Sequence, residues 1–346
     1  MLRLGGSLAL PVNFVSGSNT NSALSTQHLT LSLTSHTKGK SNRHGERTRL
    51  LKINDIPIED TFAEAFPMTA MRLIVTAETR RWADVAGQVV TGYASSVIGC
   101  DVEAGVERTL NEEETIDGRP GISVLFFGFS RDALQKAAVN RVGQCILTCP
   151  TTACYNGLPI VKGKTIKIGG NLRFFGDGNQ FSKKLESRRF WRIPVMDGEF
   201  TCEDVFGTVK GVGGGNFLIL AASQAKGLAA AESAVTAIRK IPGVIMPFPG
   251  GIVRSGSKVG SIYKKLKAST NDAYCPTLRG LVKSALPDGV NAVYEIVIDG
   301  VDQTAVEEAT RVGVRAACVK GVLGITAGNY GGNLGPVHLY LHKLLK

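Results

Sequence analysis

Hydrophobic and polar positions follow two periods along this chain. A short apolar run at residues 73–76 precedes an amphipathic stretch at 80–90, and a second apolar run follows at 96–100. Short apolar runs are typical of strands, and apolar residues three or four positions apart are typical of helices. This part of the chain is therefore predicted to form a strand, a helix and a strand.

The same order continues directly afterwards. The pattern predicts a strand at 122–127, a helix at 132–142 and a strand at 144–148. Ser130 stands where the N-cap of the helix is expected, because its hydroxyl can accept a hydrogen bond from a free backbone N–H group of the first turn.

A second copy of this pattern occupies the later part of the chain. Its predicted elements are strands at 217–220, 243–246, 293–298 and 324–327 and helices at 225–239 and 304–314, with N-caps at Ser223 and Asp302. Two β-α-β units that share one antiparallel sheet form the split βαβ, or ferredoxin-like, arrangement. The predicted fold class is α/β (α+β), with two lobes built on duplicated ferredoxin-like units.

A β-hairpin connector is predicted between the two copies. Apolar and polar residues alternate around two turn signals, which is typical of hairpins. The predicted strands are residues 164–175, 190–195 and 199–205, and the turns are Gly176-Asp177-Gly178 and Asp197-Gly198. We place the boundary between an N-terminal lobe, 53–196, and a C-terminal lobe, 197–346, in this connector.

The two copies differ by an insertion. When Gly128 is aligned with Gly300, the second copy carries about 27 extra residues, which fall at 250–279. A long loop inside a compact unit is more often functional than a requirement of packing. The same alignment places Ser123 opposite Glu295.

The first 52 residues are different in character. They are rich in Ser and Thr and show neither period, so we predict a disordered extension or a misassigned start. Seven basic residues and one acidic residue fall here, which assigns +6 of the net charge of +11 to this segment. The remaining positive charge is modest, and a nucleic-acid-binding role loses most of its support.

Cysteine and histidine limit the possible chemistry. Seven scattered cysteines fit reduced thiols better than a disulfide framework, and the gaps between Cys145, Cys149 and Cys154 match no common metal site. No histidine lies between His44 and His338, so a catalytic triad is disfavoured. No metal site is predicted.

Glu295 is the strongest candidate for catalysis. It lies within a predicted strand whose other side chains are apolar or aromatic. Burial raises the pKa of a carboxyl group toward neutrality, where a glutamate can act as a general acid or base. The alternative is a glutamate at the edge of the sheet, paired with an arginine.

The insertion combines glycines, hydroxyls and cations, which suit phosphate or carboxylate groups. A solvated basic loop is the ordinary alternative. The candidate substrate-binding residues are Ser255, Ser257, Lys258, Lys267, Ser269, Thr270, Asn271 and Arg279.

From about residue 53 onward the chain resembles the formylmethanofuran–tetrahydromethanopterin formyltransferases. The motifs that carry the resemblance are 58–67 (IEDTFAEAFP), 117–121 (DGRPG), 174–178 (FFGDG), 248–253 (FPGGIV), 255–260 (SGSKVG), 267–271 (KASTN), 275–279 (CPTLR), 294–298 (YEIVI) and 325–332 (ITAGNYGG). Such a long, ordered series is not expected by chance.

The resemblance implies an enzyme that moves a formyl group between formylmethanofuran and tetrahydromethanopterin, and the reduced thiols favour a cytoplasmic location. It implies a homotetramer, a catalytic glutamate at Glu295, and no cofactor beyond the two coenzyme substrates. The basic body favours a bacterial formaldehyde-oxidising setting, in which formyl passes to methanofuran and hydrolase subunits then release formate. Neither a membrane nor a nucleic-acid partner is expected.

Two other functions stay open at this point. The chain could be a non-catalytic scaffold subunit of a formyltransferase/hydrolase complex, although the intact motif around Glu295 argues against this. More distantly, it could be a pair of nucleic-acid-binding ferredoxin-like modules, but no RNP-like motif is present.

Overall fold

A computed structural model describes residues 51–346, and the predicted N-terminal extension lies outside them apart from Leu51 and Lys52. The strands of this part are β1 (Lys52–Ile53), β2 (Ile56–Pro57), β3 (Phe62–Thr76), β4 (Glu103–Leu110), β5 (Gly121–Gly128), β6 (Ala153–Asn156), β7 (Thr165–Lys167), β8 (Phe181–Leu185), β9 (Arg188–Val195), β10 (Gly198–Glu203), β11 (Val205–Gly207), β12 (Val209–Ala221), β13 (Val244–Ile245), β14 (Ser257–Val259), β15 (Ala268–Thr270), β16 (Ala292–Gly300), β17 (Val322–Thr326) and β18 (Val337–Tyr340). The α-helices are α1 (Arg80–Thr91), α2 (Arg131–Arg141), α3 (Gly169–Leu172), α4 (Gln224–Ile238), α5 (Gln303–Ala317) and α6 (Leu341–Leu345).

The first half contains a ferredoxin-like unit. Its strands lie in the order β4-β5-β3-β6, and every neighbouring pair is antiparallel. Helices α1 and α2 are the two crossovers, and their buried residues join the sheet in one core around Leu73, Val124 and Phe126. The N-cap of α2 is Ser130, whose hydroxyl accepts from the Ala133 N–H at 3.2 Å.

The second half repeats this arrangement. Its strands lie in the order β13-β16-β12-β17, again antiparallel throughout, with α4 and α5 as crossovers. The two helices pack on the sheet around Phe217, Ile296 and Ile298. Ser223 and Asp302 cap these helices through side-chain bonds to backbone N–H groups. The predicted mixed α/β fold with duplicated units is confirmed.

The two units share one sheet because β3 pairs with β12. Thr69 lies opposite Lys210, and Pro67 lies opposite Val212. Thr69 and Val212 are equivalent, since each faces the glycine that ends the third strand of its own unit. Met68 and Gly211, which precede these two residues, are therefore also equivalent, and they pair with each other. The pairing between β3 and β12 is centred on them, and each half contributes the same segment to the contact.

One predicted strand is wrong in the first half at residues 96–100. There the chain turns, and the Ser96 carbonyl accepts from Gly99 and Cys100 at 3.0 and 2.7 Å. The true second strand, β4, was missed because it carries charged side chains such as Glu107, which the fold accommodates by pairing with Arg72 at 2.7 Å.

A second predicted strand, at residues 144–148, is also wrong. The chain after α2 continues as a π-helix, Val142–Ile146, and the fourth strand of the unit is β6. Val142 and Ile146 lie four positions apart, and both are buried on the same core. Such short apolar runs do not distinguish a strand from a buried helical turn.

The connector is only partly as predicted. β9 and β10 form a hairpin across the Asp197-Gly198 turn, and β10 extends the first sheet by pairing in parallel with β6. Of the strand predicted at 164–175, only β7 forms, and α3 and the 3₁₀ turn Arg173–Gly176 follow it. A Cβ atom at Gly169 would meet the Glu203 carbonyl oxygen at 2.3 Å, so this close backbone contact requires glycine.

The insertion lies between β13 and β16, as predicted. It contains the β14–β15 hairpin and three 3₁₀ turns, Pro249–Gly251, Asp272–Tyr274 and Pro276–Leu278. Among the residues described, no helix combines the length and apolar character needed to cross a bilayer. The lobe boundary at residue 196 stays a prediction.

Candidate functional site

Glu295 lies in the middle of β16, away from the edge of the sheet. On one side β16 pairs with β12, where Glu295 faces Leu218. On the other side the insertion returns to the strand, and Glu295 and Val253 exchange two backbone hydrogen bonds of 2.8 and 2.9 Å. Within the described chain, the Glu295 carboxyl group forms no ion pair, so the edge glutamate paired with an arginine is not what the structure contains.

The environment of Glu295 changes its acidity. Desolvation of the partly buried side chain raises the pKa of its carboxyl group to about 7. Desolvation has this effect because it penalises the charged form. Near neutral pH the group therefore exists in both protonation states, which is the condition for efficient proton exchange.

Two clefts meet at Glu295. The smaller cleft, about 470 Å³, lies between the start of β16 and the insertion, and Arg254, Tyr274 and Asn291 are among its walls. The larger cleft, about 690 Å³, runs between the two halves. The residues common to both are Leu218, Val253, Ser255, Asn271 and Glu295. One carboxyl group thus has access to two adjacent spaces.

Five of the predicted substrate-binding residues line these clefts. Ser255 and Asn271 line both, whereas Ser257, Lys258 and Lys267 line only the larger one. Lys258 pairs with Asp272 at 2.7 Å, and this cation holds the pKa of the Asp272 carboxyl below its ordinary value. The basic insertion is therefore part of the cleft wall.

The other three predicted residues lie outside the cleft linings. The Ser269 hydroxyl donates to the Gly260 carbonyl at 2.8 Å, and Thr270 contacts Cys275. The Arg279 guanidinium donates to the carbonyls of Leu286, Pro287 and Val290. These contacts hold the insertion in shape, and direct substrate binding by these three residues stays a prediction.

Sequence reasoning missed the loop after β17. The sequence of residues 328–332 is typical of a tight turn, yet the loop lines the larger cleft through Gly328, Asn329, Tyr330 and Leu334. The loop is held by Glu64, which is 2% exposed and accepts backbone N–H bonds from Tyr330, Gly332, Leu334 and Gly335. Burial would raise the pKa of Glu64, but these four donors outweigh it and lower the pKa.

A signal for this loop existed in the sequence. Glu64 interrupts an otherwise apolar stretch of β3, and Gly331-Gly332 marks a backbone with positive φ. A buried carboxylate needs donors, and a glycine-rich loop can supply backbone N–H groups.

Ser123, which occupies the position of Glu295 in the first half, has a chemically different environment. The Ser123 hydroxyl donates to Glu107 at 2.5 Å, and Glu107 is also bonded by Arg72 and by the Gly243 N–H. This carboxylate is held in an ion pair whose hydrogen bonds outweigh burial and lower its pKa. Only the second half presents an unpaired carboxyl group at this point.

Comparison with known proteins agrees with this fold of duplicated ferredoxin-like units. The family profile described as formylmethanofuran-tetrahydromethanopterin formyltransferase matches residues 51–195, and the profile described as FTR, proximal lobe, matches residues 198–344. The chain belongs to the formylmethanofuran–tetrahydromethanopterin formyltransferase family, and the resemblance found in the sequence is confirmed.

Individual relatives are similar over most of their length. A formylmethanofuran–tetrahydromethanopterin formyltransferase of Methylococcus capsulatus is 55% identical over 85% of this chain and 99% of its own. The crystal structure of the formyltransferase/hydrolase complex (FhcABCD) from Methylorubrum extorquens with methylofuran contains a chain that is 52% identical, with a TM-score of 0.83 over 86% of this chain and 99% of that one. The formyltransferase of Methanosarcina barkeri is 47% identical, with a TM-score of 0.81 over 85% of this chain and 100% of that one.

Proposed function

We propose that this chain is an enzyme that moves a formyl group directly between formylmethanofuran and tetrahydromethanopterin, with Glu295 as general acid and base. The observation that carries the proposal is the position of Glu295 at the junction of two clefts, each large enough for part of a coenzyme. The names of the similar proteins supply the two carriers. Adjacent clefts allow both carriers to be bound together.

The chemistry requires one proton to move. The nitrogen of the incoming carrier attacks the formyl carbon, and a C–N bond forms as the carbonyl oxygen becomes an oxyanion. The Glu295 carboxylate takes the proton of the attacking nitrogen and returns it to the leaving nitrogen as the second C–N bond breaks. Binding both carriers in one complex replaces a covalent formyl-enzyme intermediate.

The oxyanion needs hydrogen-bond donors at the junction. Ser255 lines both clefts beside Glu295, and its hydroxyl is our candidate donor. No electrons are gained or lost and the proton is returned, so the reaction needs no cofactor or metal beyond the two coenzyme substrates.

Removing one cation from the larger cleft should weaken substrate binding. Lys267→Gln is expected to raise the KM of one of the two carriers about tenfold and to leave kcat within about twofold, because a single charge contact with an anionic group of that carrier is worth roughly 1.4 kcal/mol. Steady-state kinetics at low and high salt measure this. Lys264→Gln, on the same hairpin but outside the cleft linings, is the control. Equal effects of the two substitutions would contradict the assignment.

The pH profile should show the Glu295 titration. The carboxylate is the form that accepts a proton, and its pKa is about 7. The kcat/KM is therefore expected to fall about tenfold for each pH unit below 7 and to level off above it. Buffers from pH 5 to 9 with both carriers measure this. In Glu295→Gln the residual rate should lose the inflection, and an unchanged inflection would assign it to another group.

We also propose the cellular setting. A similar chain occurs in a formyltransferase/hydrolase complex, which supports hydrolase subunits as partners and transfer toward methanofuran, ahead of formate release. We infer a homo-oligomer, a tetramer by the family resemblance, which the exposed Ile262, Tyr263 and Leu281 support. Seven unpaired cysteines favour the cytoplasm.

The decisive experiment is an assay of the purified chain with both formyl carriers, run in each direction. We expect transfer without added metal or further subunits. A pure, folded chain that binds both carriers but transfers formyl in neither direction would instead support the scaffold function.

A further inference from the structure

Two acidic side chains, Glu103 and Asp299, are in contact where the two halves meet, and we call them the acid pair. Glu103 comes from β4 of the first half and is 8% exposed, whereas Asp299 comes from β16 of the second half and is fully buried. A hydrogen bond joins their carboxyl groups. Among the described residues, neither forms an ion pair with a basic side chain. Burying two carboxyl groups without a cation is costly.

The duplicated fold contains an equivalent of this contact, and that equivalent is apolar. Asp299 corresponds to Phe127, since each precedes the glycine that ends its strand. Glu103 is the partner of Phe127 across β4 and β5. Ile245 is the partner of Asp299 in the same way, so it corresponds to Glu103. Phe127 and Ile245 pack in one buried cluster that lines neither cleft. Packing alone therefore does not require acids at this position.

Each member of the acid pair also holds a backbone segment of the larger cleft. The Val97 N–H donates to Glu103 Oε1 at 3.0 Å, and the Gly214 N–H donates to Asp299 Oδ1 at 2.9 Å. Gly214 has a φ of 81° and lies in a β-bulge of β12. A bulge leaves a backbone group outside the strand ladder, and Asp299 satisfies this one. Val97 and Gly214 both line the larger cleft, from opposite halves.

One oxygen of the acid pair indicates a proton. Asp299 Oδ2 is buried and has no hydrogen-bond partner among the N–H and O–H donors of the part of the chain that the structure describes. A carboxyl group can donate a hydrogen bond only when it is protonated. Burial, and then the charge of Glu103, raise the pKa of Asp299 well above its ordinary value, and burial also raises the pKa of Glu103. Near pH 7 one proton on the pair completes the bond between the two groups.

The surroundings of the acid pair supply no other charge. The neighbouring residues on the strands packed around it are Met68 of β3, Phe127 of β5, Gly213 of β12 and Ile245 of β13. In the loop that Glu103 holds, Tyr93 and Cys100 donate to backbone carbonyls, and Asp101 is paired with Arg141. Within residues 51–346 the shared proton is therefore governed by the two carboxyl groups themselves.

We propose that Glu103 and Asp299 share one proton and that the resulting hydrogen bond joins the two halves and sets the shape of the larger cleft. They are positioning residues, which act through the loop at 95–100 and the bulge of β12. Asp299 also lies four residues from Glu295 along β16, on the same face of the strand. The effect on catalysis rests on the proposed function, whereas the proton can be measured without any carrier.

Infrared spectroscopy at pH 7 tests the shared proton. In Glu295→Gln, which removes the other carboxyl group that titrates near neutrality, we expect the carbonyl band of a protonated carboxyl group. The band should vanish in Glu295→Gln/Asp299→Asn. A spectrum of Glu295→Gln without the band overturns the inference.

The pH dependence of stability gives a second test. Because its pKa is raised in the folded state, folded Asp299 keeps a proton that the unfolded carboxyl has lost, and this stabilisation decreases as the pH rises. Relative to Asp299→Asn, the thermal midpoint of wild type should therefore fall by about 2 °C for each pH unit between pH 5 and 7. Calorimetry measures both midpoints, and a constant difference overturns the inference.

Steady-state kinetics test the positioning role. In Asp299→Asn the amide can donate to Glu103 and accept from Gly214, so kcat/KM should stay within about twofold of wild type at pH 7. Glu103→Leu/Asp299→Leu imitates the apolar contact of the other side and should fold. Its kcat/KM should be at least about tenfold lower, because the loop and the bulge lose their acceptors. The control is Phe126→Leu, a core change on the helix-covered face of the first sheet.

The outcomes separate the two proposals. Equal kcat/KM values for the double-leucine variant and the control overturn the positioning role, as does an Asp299→Asn variant as impaired as the double-leucine variant. If the double-leucine variant does not fold, the infrared band and the thermal midpoints decide. Wild-type protein that transfers no formyl group overturns the proposed function and leaves the test of the shared proton intact.

Discussion

Replacing Glu295 by glutamine is expected to lower kcat about 10³-fold in both directions of formyl transfer, which is within the range for loss of a general acid and base. Glutamine keeps the shape of the side chain but cannot exchange a proton. Because β16 pairs on both sides at this position, the strand and the two clefts should keep their form. Both carriers should bind with Kd values within about threefold of wild type, as measured by calorimetry.

The matched control for this prediction is Glu232→Gln, a similar change on the exposed face of α4. It should have wild-type kinetics. A kcat of Glu295→Gln close to that of the control would remove the acid–base role from Glu295. A variant that loses binding of both carriers instead would assign Glu295 to the architecture of the clefts.

Glu64→Gln is expected to destabilise the protein by about 3 kcal/mol and to lower the thermal midpoint by roughly 5 °C. Glu64 accepts four backbone N–H bonds from the loop at 330–335. A glutamine amide would turn two of its own N–H groups toward those donors. Differential scanning calorimetry at pH 7 measures the change.

The effect of Glu64 should depend on pH in a defined direction. Its folded-state pKa lies below the ordinary value of 4.5, so the carboxylate contributes stability above that pH. The difference between wild type and Glu64→Gln should therefore shrink as the pH falls through the folded-state pKa. Glu59→Gln, an exposed change nearby, should show no such difference. A constant difference down to low pH would mean that side-chain packing, not charge, explains the loss.

Much of the fold could be predicted because its signals are local. Helices α1 and α5 have clear apolar periodicity, and Ser130, Ser223 and Asp302 cap α2, α4 and α5 as expected. The strand predictions were wrong where contacts between residues distant in sequence determine the local structure. β4 contains Glu107, whose partners Arg72 and Gly243 are distant in sequence, and the run at 144–148 begins inside the π-helix Val142–Ile146.

The candidate functional site likewise contains some residues that the sequence could identify and others that it could not. Glu295 could be found from the sequence because a lone carboxyl group among apolar strand residues is conspicuous. Glu64 is a similar lone carboxyl group on β3, but the sequence does not show which donors it meets, because its contacts with Tyr330 and Gly335 join residues 266 and 271 positions apart. For Arg279 the sequence indicated a cation near the site, and only the structure shows that it holds backbone carbonyls.

The centred register between β3 and β12 has a consequence for the origin of the chain. Two copies of a half-length ancestor pairing across a twofold axis would make this same contact, with Met68 and Gly211 as equivalent residues on the axis. In such a dimer every substitution appears twice. Fusion into one chain removes that constraint, so one half can keep an inert serine while the other gains a reactive acid. Descent from a symmetric homodimer thus accounts for a single reaction centre in a protein with two matching frameworks.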